Sequence, residues 1–456
     1  MNPLPLLAAL FSQYLTQTAP DPDPDTGALS VKALAAENFA RVQEEIKDRE
    51  EIWSAPFVIA DTRKGEVTVW GQHAGMALGE PLEFFVITEQ SGHDYEALMI
   101  SFAKPSDLHQ ALEKIGAKPG GSVSPNEHRF WPRGSRIVAE IEWQPEAAEA
   151  PLRMPVEKTA LARGEEMKPT PWVFTGAPTL PNPENPEESV YAPDLFSPNS
   201  IASTFNLTNT VLDLPFQGSK SQTYGVYIRN PAIDAPTAQP KLLHLRLARE
   251  EYAEKELDLT LRMSGPDAAL KVSGLENDGF TGLDDLGAVL NRRKGEIHYL
   301  QPDFGPDLRL DQFTSLSREL QLLENHLESV RIEPPLPGQL YYKAFVPDPR
   351  YRSRENRPSQ PIELHFRKSG GEDWNVTLME LEEIWDPNKP TVVLEERIPL
   401  ANPEAFESYL QDPQKRKPVL FVYAEKSLTH RELQAWLGST THRFPIVYVY
   451  LIEDEG

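Results

Sequence analysis

The chain has 456 residues, enough for about two to four domains, and its 39% hydrophobic and 25% charged content is that of a chain able to bury cores. Sixty-nine acidic residues against 45 basic ones leave a net charge of −24, a field that repels nucleic-acid phosphates and anionic lipid surfaces and argues against both as partners. The absence of cysteine excludes disulfides, thiolate nucleophiles and thiolate metal sites, and 43 prolines predict many loops.

Residues 4–15 are mostly apolar but too short and too interrupted to cross a bilayer. Followed by Thr16-Gln17-Thr18-Ala19, they have the form of a signal-peptide apolar segment with a small-residue cleavage site. Residues 1–19 are therefore expected to direct the chain to a periplasmic or otherwise extracytoplasmic location. No Lys or Arg precedes Lys32, which leaves a docking tail on a cytoplasmic protein as the alternative. The Asp/Pro-rich stretch 20–28 predicts a linker. Phe39, Val42 and Ile46 share one side of a helix expected over 34–50.

Val67, Val69 and Trp70 mark an early strand. The run 83–88, from Glu83 through Phe84, Phe85, Val86 and Ile87 to Thr88, suits a strand buried on both faces. Residues 90–94 contain Gly92 and read as a hairpin-like connection to a second apolar strand carrying Ala97, Leu98, Met99, Ile100 and Phe102. Pro105 fits the first turn of a helix and Asp107 favours its positive end. Leu108, Ala111, Leu112 and Ile115 recur on one helical face, Gly116 suits a left-handed cap and Pro119 blocks continuation. Residues 137–143 form another strand, with Glu140 and Glu142 on one face. Paired carboxylates can run acid/base chemistry, but on a polar strand face they are ordinarily solvated. Residues 144–170 and 177–198 are Pro/Glu-rich and expected to be irregular. Between them, Pro171-Trp172-Val173-Phe174-Thr175-Gly176 reads as a core-facing aromatic strand ending at a glycine turn. A ligand-facing rim that includes Asn199 and Ser200 is the sharper alternative.

The segment from Asp94 to Gly120 resembles the core of the YdjY domain. It keeps Glu96, Ala97, Lys104, Pro105, Ser106, Asp107, Gly116, Pro119 and Gly120, with Tyr95 where that family usually has His. Trp172-Val173-Phe174-Thr175-Gly176 is similar to the family's W-V-F-T-G-S, with Ala177 for the Ser. Asn199-Ser200-Ile201-Ala202 resembles its G-N-x-I-S segment, with Pro198 for the Gly. The resemblance covers residues 65–230 and brings no settled biochemical role. Some members carry a ferredoxin-like or lipoprotein label, and without cysteine this chain can bear neither a cysteine-ligated cluster nor a lipobox anchor.

A different region starts near residue 240. Leu243, Leu245 and Leu247 alternate in a strand beginning at Lys241, and 269–272 suits another. Thr281 can cap a helix carrying Leu283, Leu286 and Leu290, with Asp284 at its third position. Residues 297–300 read as a strand. Asp311 opens a helix with Phe313, Leu316, Leu320, Leu323 and Leu327, and 330–332 closes as a strand. The basic patch Arg350-Tyr351-Arg352-Ser353-Arg354 reads as a solvated loop or an intramolecular partner for acidic surface rather than a nucleic-acid contact. Strands are expected at 362–366, 376–381, 391–394, 419–423 and 446–450. A helix is expected from Asn402-Pro403-Glu404, and a second from Thr429, with Glu432 at capping-box spacing and Gly438 as its stop. The order strand, helix, strand, helix, strand in both halves predicts tandem units. Residues 419–428 of the second half resemble the periplasmic domain of the ExbD/TolR family, with Glu425 for its Asp and Thr429-His430 in place of its Tyr-Gly. No adjoining membrane helix with a proton-carrying Asp accompanies it, so what the resemblance implies is an envelope-type interaction fold.

No phosphate loop, dinucleotide fingerprint, HExxH or nucleophile elbow occurs. The ten histidines are scattered and no pair has ligand spacing on one helix, so no metal and no cofactor are expected. His73, His93 and His128 can converge with Glu96, although surface or core roles suit them better. The expected architecture is a multidomain α+β protein: a possible signal peptide at 1–19, linker and helix at 20–55, a YdjY-like domain at 56–235, and two small tandem sheet-plus-helix ExbD/TolR-like units. The first unit is placed at 236–335 and the second, with its linker, at 336–456. The expected function is non-catalytic extracytoplasmic binding or scaffolding with a protein partner or a second copy, without nucleic acid or a transmembrane segment and with possible envelope association. The alternative is an enzyme or small-ligand receptor, with Glu96, Lys104, Asp107, Trp172, Thr175, Asn199 and Ser200 as candidate ligand-binding residues and no catalytic residue assigned.

Overall fold

A computed structural model describes residues 30–452, apart from 146–149, 217, 219–222, 234–236, 249–254, 265–269, 276–281, 294, 328, 337–338, 341–342, 344–361, 369–372, 387–388, 413–418, 439–443 and 445. The signal-like segment, the Asp/Pro linker, Thr281 and the patch 350–354 lie outside the described residues. The chain is α+β and divides into two compact units, Met1–Val123 with Phe130–Ala253, and Glu254–Gly456 with Ser124–Arg129. Among the described residues no helix is long and apolar enough to cross a membrane.

In the first unit, helix α1 (Val31–Ile46) starts where the Ser30 hydroxyl accepts the Ala33 N–H, and it buries Ala33, Ala35 and Phe39. Strands β1 (Ile52–Ala55), β2 (Val58–Asp61) and β3 (Glu66–His73) form an antiparallel meander. Strand β4 (Phe84–Thr88) is buried throughout, as its unbroken apolar run predicts. It is followed by β5 (Ala97–Ser101) and helix α2 (Pro105–Lys114), which has Lys104 at its N-cap and Gly116 beyond its end at φ +92°. Strands β6 (Arg136–Trp143) and β7 (Leu152–Pro155) pair antiparallel. A small sheet then uses β8 (Ala160–Ala162) and β9 (Glu165–Glu166). Strand β10 (Trp172–Phe174) is wholly buried. Strands β11 (Thr179–Pro181) and β12 (Ser189–Tyr191) pair ahead of the short helix α3 (Ala192–Leu195). Strands β13 (Ser200–Ser203), β14 (Thr210–Asp213), β15 (Tyr227–Arg229) and β16 (Pro240–Leu247) complete the unit. The Pro/Glu-rich stretches expected to be irregular thus contribute short strands at both places.

The main sheet closes. Its order runs β3-β16-β6-β10-β14-β13-β4-β5, and β5 also pairs with β3, giving a ring of eight strands. Closure corrects the hairpin expected at 90–94: β4 and β5 are parallel, Phe84 beside Ala97 and Thr88 beside Ser101. To run antiparallel to β3 while lying next to β4, β5 must start beside the start of β4. The connection therefore returns along the strand and ends in a 3-10 turn at Asp94–Glu96. Gly71 permits the seam, since a Cβ there would sit 2.2 Å from the Ile100 carbonyl oxygen. Closure also corrects the expected boundary near residue 240, because β16 pairs with β3 on one side and β6 on the other and belongs to the first unit. The core face of the ring carries Val67, Val69, Ile137, Ala139, Ile141, Leu243 and Leu245, with Leu108, Ala111 and Leu112 of α2 in the same cluster. On the opposite face, α1 packs Phe39 on Ile59, Trp70 and Phe102.

The second unit contains one plan twice. Strand β17 (Lys255–Met263) pairs with the antiparallel β18 (Lys271–Ser273) on one side. On the other it meets β19 (Glu296–Phe304), and then β20 (Val330–Ile332), both parallel. Helix α4 (Leu283–Arg292) precedes β19 and helix α5 (Leu310–His326) precedes β20. Next, β21 (Ile362–Lys368) pairs with the antiparallel β22 (Trp374–Asp386), which is extended by β23 (Lys389–Leu400). On its other side stand the parallel β24 (Val419–Glu425) and β25 (Ile446–Ile452). Helix α6 (Pro403–Leu410) precedes β24 and α7 (His430–Leu437) precedes β25. The sheet orders β18-β17-β19-β20 and β22-β21-β24-β25 are the same, and the second adds β23. The helix expected from Thr281 is capped by Gly282 instead, which moves Asp284 to its second position. Strand β17, which was not anticipated, alternates Leu257, Leu259 and Leu261. The tandem halves share a single core, from Leu259, Leu286 and Phe313 to Phe366, Phe406 and Leu433.

Candidate functional site

None of the candidate ligand residues of the first unit lines the cavity described below. Glu96 ends the 3-10 turn before β5 and meets His93 Nδ1 at 2.6 Å. Lys104 is the N-cap of α2. Asp107, in the first turn of α2, is half-buried, and burial raises its pKa, with Asp194 adding to the effect and Lys104 opposing it. The Asp194 carboxylate also accepts the Ser106 N–H at 2.9 Å. Trp172 is fully buried and donates its indole N–H to Glu157 at 2.8 Å. The Thr175 hydroxyl donates to the Thr210 carbonyl at 2.7 Å, and Asn199 donates to the Pro193 carbonyl at 3.1 Å. The Ser200 hydroxyl accepts from Thr210 at 3.3 Å. The last four side chains bond within the fold while buried, as the core reading of the aromatic strand expects. Of the three histidines considered together, His93 does meet Glu96, His73 lies at the cavity described next, and His128 groups with the second unit.

The first unit does contain a cavity of about 10 Å³, room for roughly one water, where β3 ends and β16 begins. Its polar lining is His73, Thr159, Arg229 and Lys241, with Leu98 and Trp143 among its apolar walls. Lys241 is only 1% exposed. Burial, helped by the nearby Arg229 guanidinium, lowers its pKa to about 8. Arg229 donates to the Met76 carbonyl. His73 Nδ1 accepts the Gly75 N–H at 2.8 Å, so its ring proton in the neutral form is on Nε2. Arg229 and Lys241 were not among the expected site residues, yet a signal existed. Lys241 has the same strand parity as Leu243 and Leu245, and His73 the same parity as Val67 and Val69, so each continues an apolar face with a basic residue.

The opposite face of the same strands is polar and paired. Glu140 accepts Arg153 at 2.8 Å, and His244 lies between Glu142 at 3.3 Å and Glu66 at 3.5 Å. His244 and Arg153 together lower the Glu66 pKa to about 2, against an opposing effect of burial. Glu140 is thus tied into an ion pair with Arg153 and Glu142 lies against the His244 ring, rather than the two facing each other as an acid/base couple. Among the described residues no three His, Asp or Glu side chains are grouped to hold a metal ion.

In the second unit the distinctive feature is an edge. Strand β25 ends its sheet's order, with β24 its one partner strand among the described residues. Val447, Val449 and Leu451 pack into the helix-covered core, while Tyr448 and Tyr450 lie with Phe421 and Tyr423 on the other face. The Tyr423 and Tyr450 rings stack with centroids 5.4 Å apart. Both faces are thereby engaged, and the strand Ile-Val-Tyr-Val-Tyr-Leu-Ile carries no charge, proline or glycine along its edge.

Comparison with known proteins finds no similar curated protein and no similar solved structure. Apart from Ser124–Arg129 the family match lies in the first unit, running from the start of β2 into β14 and leaving out β15 and β16, and hence Arg229 and Lys241. It covers about a third of the chain: residues 58–211 match the YdjY domain.

Proposed function

We propose that this is a non-catalytic, extracytoplasmic binding or scaffolding protein whose second unit joins another copy of itself through β25. The observation that carries this reading is an uncharged, seven-residue edge strand with both faces already covered. Natural edge strands are usually protected by Lys, Pro, bulges or shortness, and this one has no charge or proline. A second copy is the fitting occupant. With a net charge of −24 the chains repel each other over most of their surfaces, whereas two antiparallel β25 strands meet without charge and satisfy twofold symmetry. The ExbD/TolR-like character of residues 419–428 supports the same envelope-type interaction role, and the apolar segment at 4–15 supports export.

The test is mass measurement by light scattering across a dilution series. The wild type is expected to be dimeric at micromolar concentration. Tyr448→Lys, which puts a gatekeeper charge beside the edge, is expected to weaken association at least about tenfold. A wild-type protein that stays monomeric up to about 100 µM would remove the reading. Export is tested separately: an intact N-terminus recovered from the cytoplasmic fraction contradicts it.

A further inference from the structure

We infer that the joint between the two halves of the second unit is an acid-released latch, which holds while the His430 ring is neutral and opens when the ring takes up a proton. The joint is nearly symmetric. Residues 308–310, leading into α5, meet residues 428–430, leading into α7, through one β-bridge and a backbone hydrogen bond on either side of it. Leu310 is the first residue of α5 and His430 the first residue of α7, so the two positions correspond. Leu308, Leu310 and Leu428 are fully buried there. His430, only 4% exposed, is the titratable side chain set among them.

Packing rather than polar contact holds the ring. It stacks on Phe313 of α5 at an interplanar angle of 17°, and its buried Nε2 makes no hydrogen bond among the described residues. An imidazolium donates from both ring nitrogens and carries a full charge, so it needs water or an acceptor. The charged groups of the adjoining elements are engaged with one another or with nearby donors. Asp307, ahead of α5, pairs with Arg431, and Asp311 pairs with Arg309. Glu432 accepts from Thr429 and Trp374, and Glu425, at the end of β24, accepts the Lys368 N–H. Burial alone lowers the His430 pKa to about 4. An ordinary histidine titrates near about 6.5, so acid favours the opened joint, where the ring reaches water. The latch works inside one chain and is independent of association through β25.

The experiment is hydrogen exchange by mass spectrometry on the full chain at pH 7, 6, 5 and 4, corrected for the pH dependence of intrinsic exchange. Peptides spanning 306–313 and 428–433 are expected to lose protection together, by about 100-fold between pH 7 and pH 4, and ahead of the central strands β19 and β24. His430→Phe should be as protected as the wild type at pH 7 and lose little of that protection at pH 4. His430→Leu, which gives α7 the residue that α5 has at the same place, should behave alike and serves if the phenylalanine variant does not fold. Unchanged joint protection in the wild type at pH 4, or a loss of equal size in the variants, overturns the latch. If neither variant folds, the wild-type series decides: loss that begins at the joint supports the latch, and loss uniform over the second unit overturns it.

Discussion

Two buried ionisable residues show how a single side chain couples this fold to pH. Glu157 is 2% exposed, and burial raises its pKa to about 7, with the Trp172 N–H opposing the shift. A raised carboxyl pKa favours the protonated form in the folded state. Its stabilising contribution is therefore complete below about pH 4.5 and is lost as pH rises to about 7, a span worth roughly 3 kcal/mol at 1.36 kcal/mol per unit. Glu157→Gln can keep the indole contact without the charge. It is expected to raise stability by about 1–3 kcal/mol at pH 8 and to change little at pH 4 in denaturant titrations. His430 carries the opposite sign. It is buried against Phe313, with ring centroids 4.6 Å apart, and burial lowers its pKa to about 4. The neutral ring is favoured in the fold, so its contribution is present above about pH 6.5 and falls away toward pH 4, again by roughly 3 kcal/mol. The charged residues next to it in the chain are Arg431, which pairs with Asp307 at 2.9 Å, and Glu432, which closes the cap of α7. His430→Phe is expected to flatten the decline in stability over that interval, as measured by denaturant unfolding at a series of pH values.

At the level of elements, local chemistry and ring closure make separate demands. Helix α7 has its full capping box: the Thr429 hydroxyl accepts the Glu432 N–H while the Glu432 carboxylate accepts the Thr429 N–H. Thr429→Ala is expected to cost about 1 kcal/mol, read as a lower denaturant midpoint with an unchanged slope. The cap was legible because Thr and Glu stand three residues apart ahead of an apolar run. The seam between β3 and β5 was not, because nothing local to Gly71 records that Ile100 will lie against it. Gly71→Ala is expected to cost at least about 1–3 kcal/mol through overpacking, and hydrogen exchange should show the loss first in β5. The same seam explains the misjudged turn at 90–94. Its glycine and polar residues fit a hairpin, and only the need for β5 to reach β3 makes its two flanking strands parallel.

On the scale of the molecule, the second unit behaves as one body built from two similar halves. The joint lies at equivalent places. Arg309, the N-cap of α5, forms a β-bridge with Thr429, the N-cap of α7. The Leu310 N–H donates to the Leu428 carbonyl at 2.8 Å and the His430 N–H to the Leu308 carbonyl at 2.9 Å. With a common core, the halves should unfold together. Phe406→Ala, which empties a fully buried position, is expected to cost about 3–5 kcal/mol. It should lower hydrogen-exchange protection in β17 and β19 as much as in β21 and β24. Protection retained in the first half alone would show the halves to be independent.

Sequence by itself determined the elements whose cause is local: α2 from Pro105, Asp107 and Gly116, the caps of α6 and α7, the buried run of β4, the alternation of β6 and the repeated order of the second unit. It also determined the polar character of the Glu140 and Glu142 face, and it held, unnoticed, the parity that puts Lys241 among leucines. Tertiary structure alone decided that β16 inserts between β3 and β6, that the ring closes at Gly71, and that His73, Arg229 and Lys241, separated by up to 168 residues along the chain, border one cavity. The physical reason is that periodicity and capping act over a few residues, whereas strand pairing between distant segments is selected by the total burial it achieves, a quantity that no short stretch of chain contains.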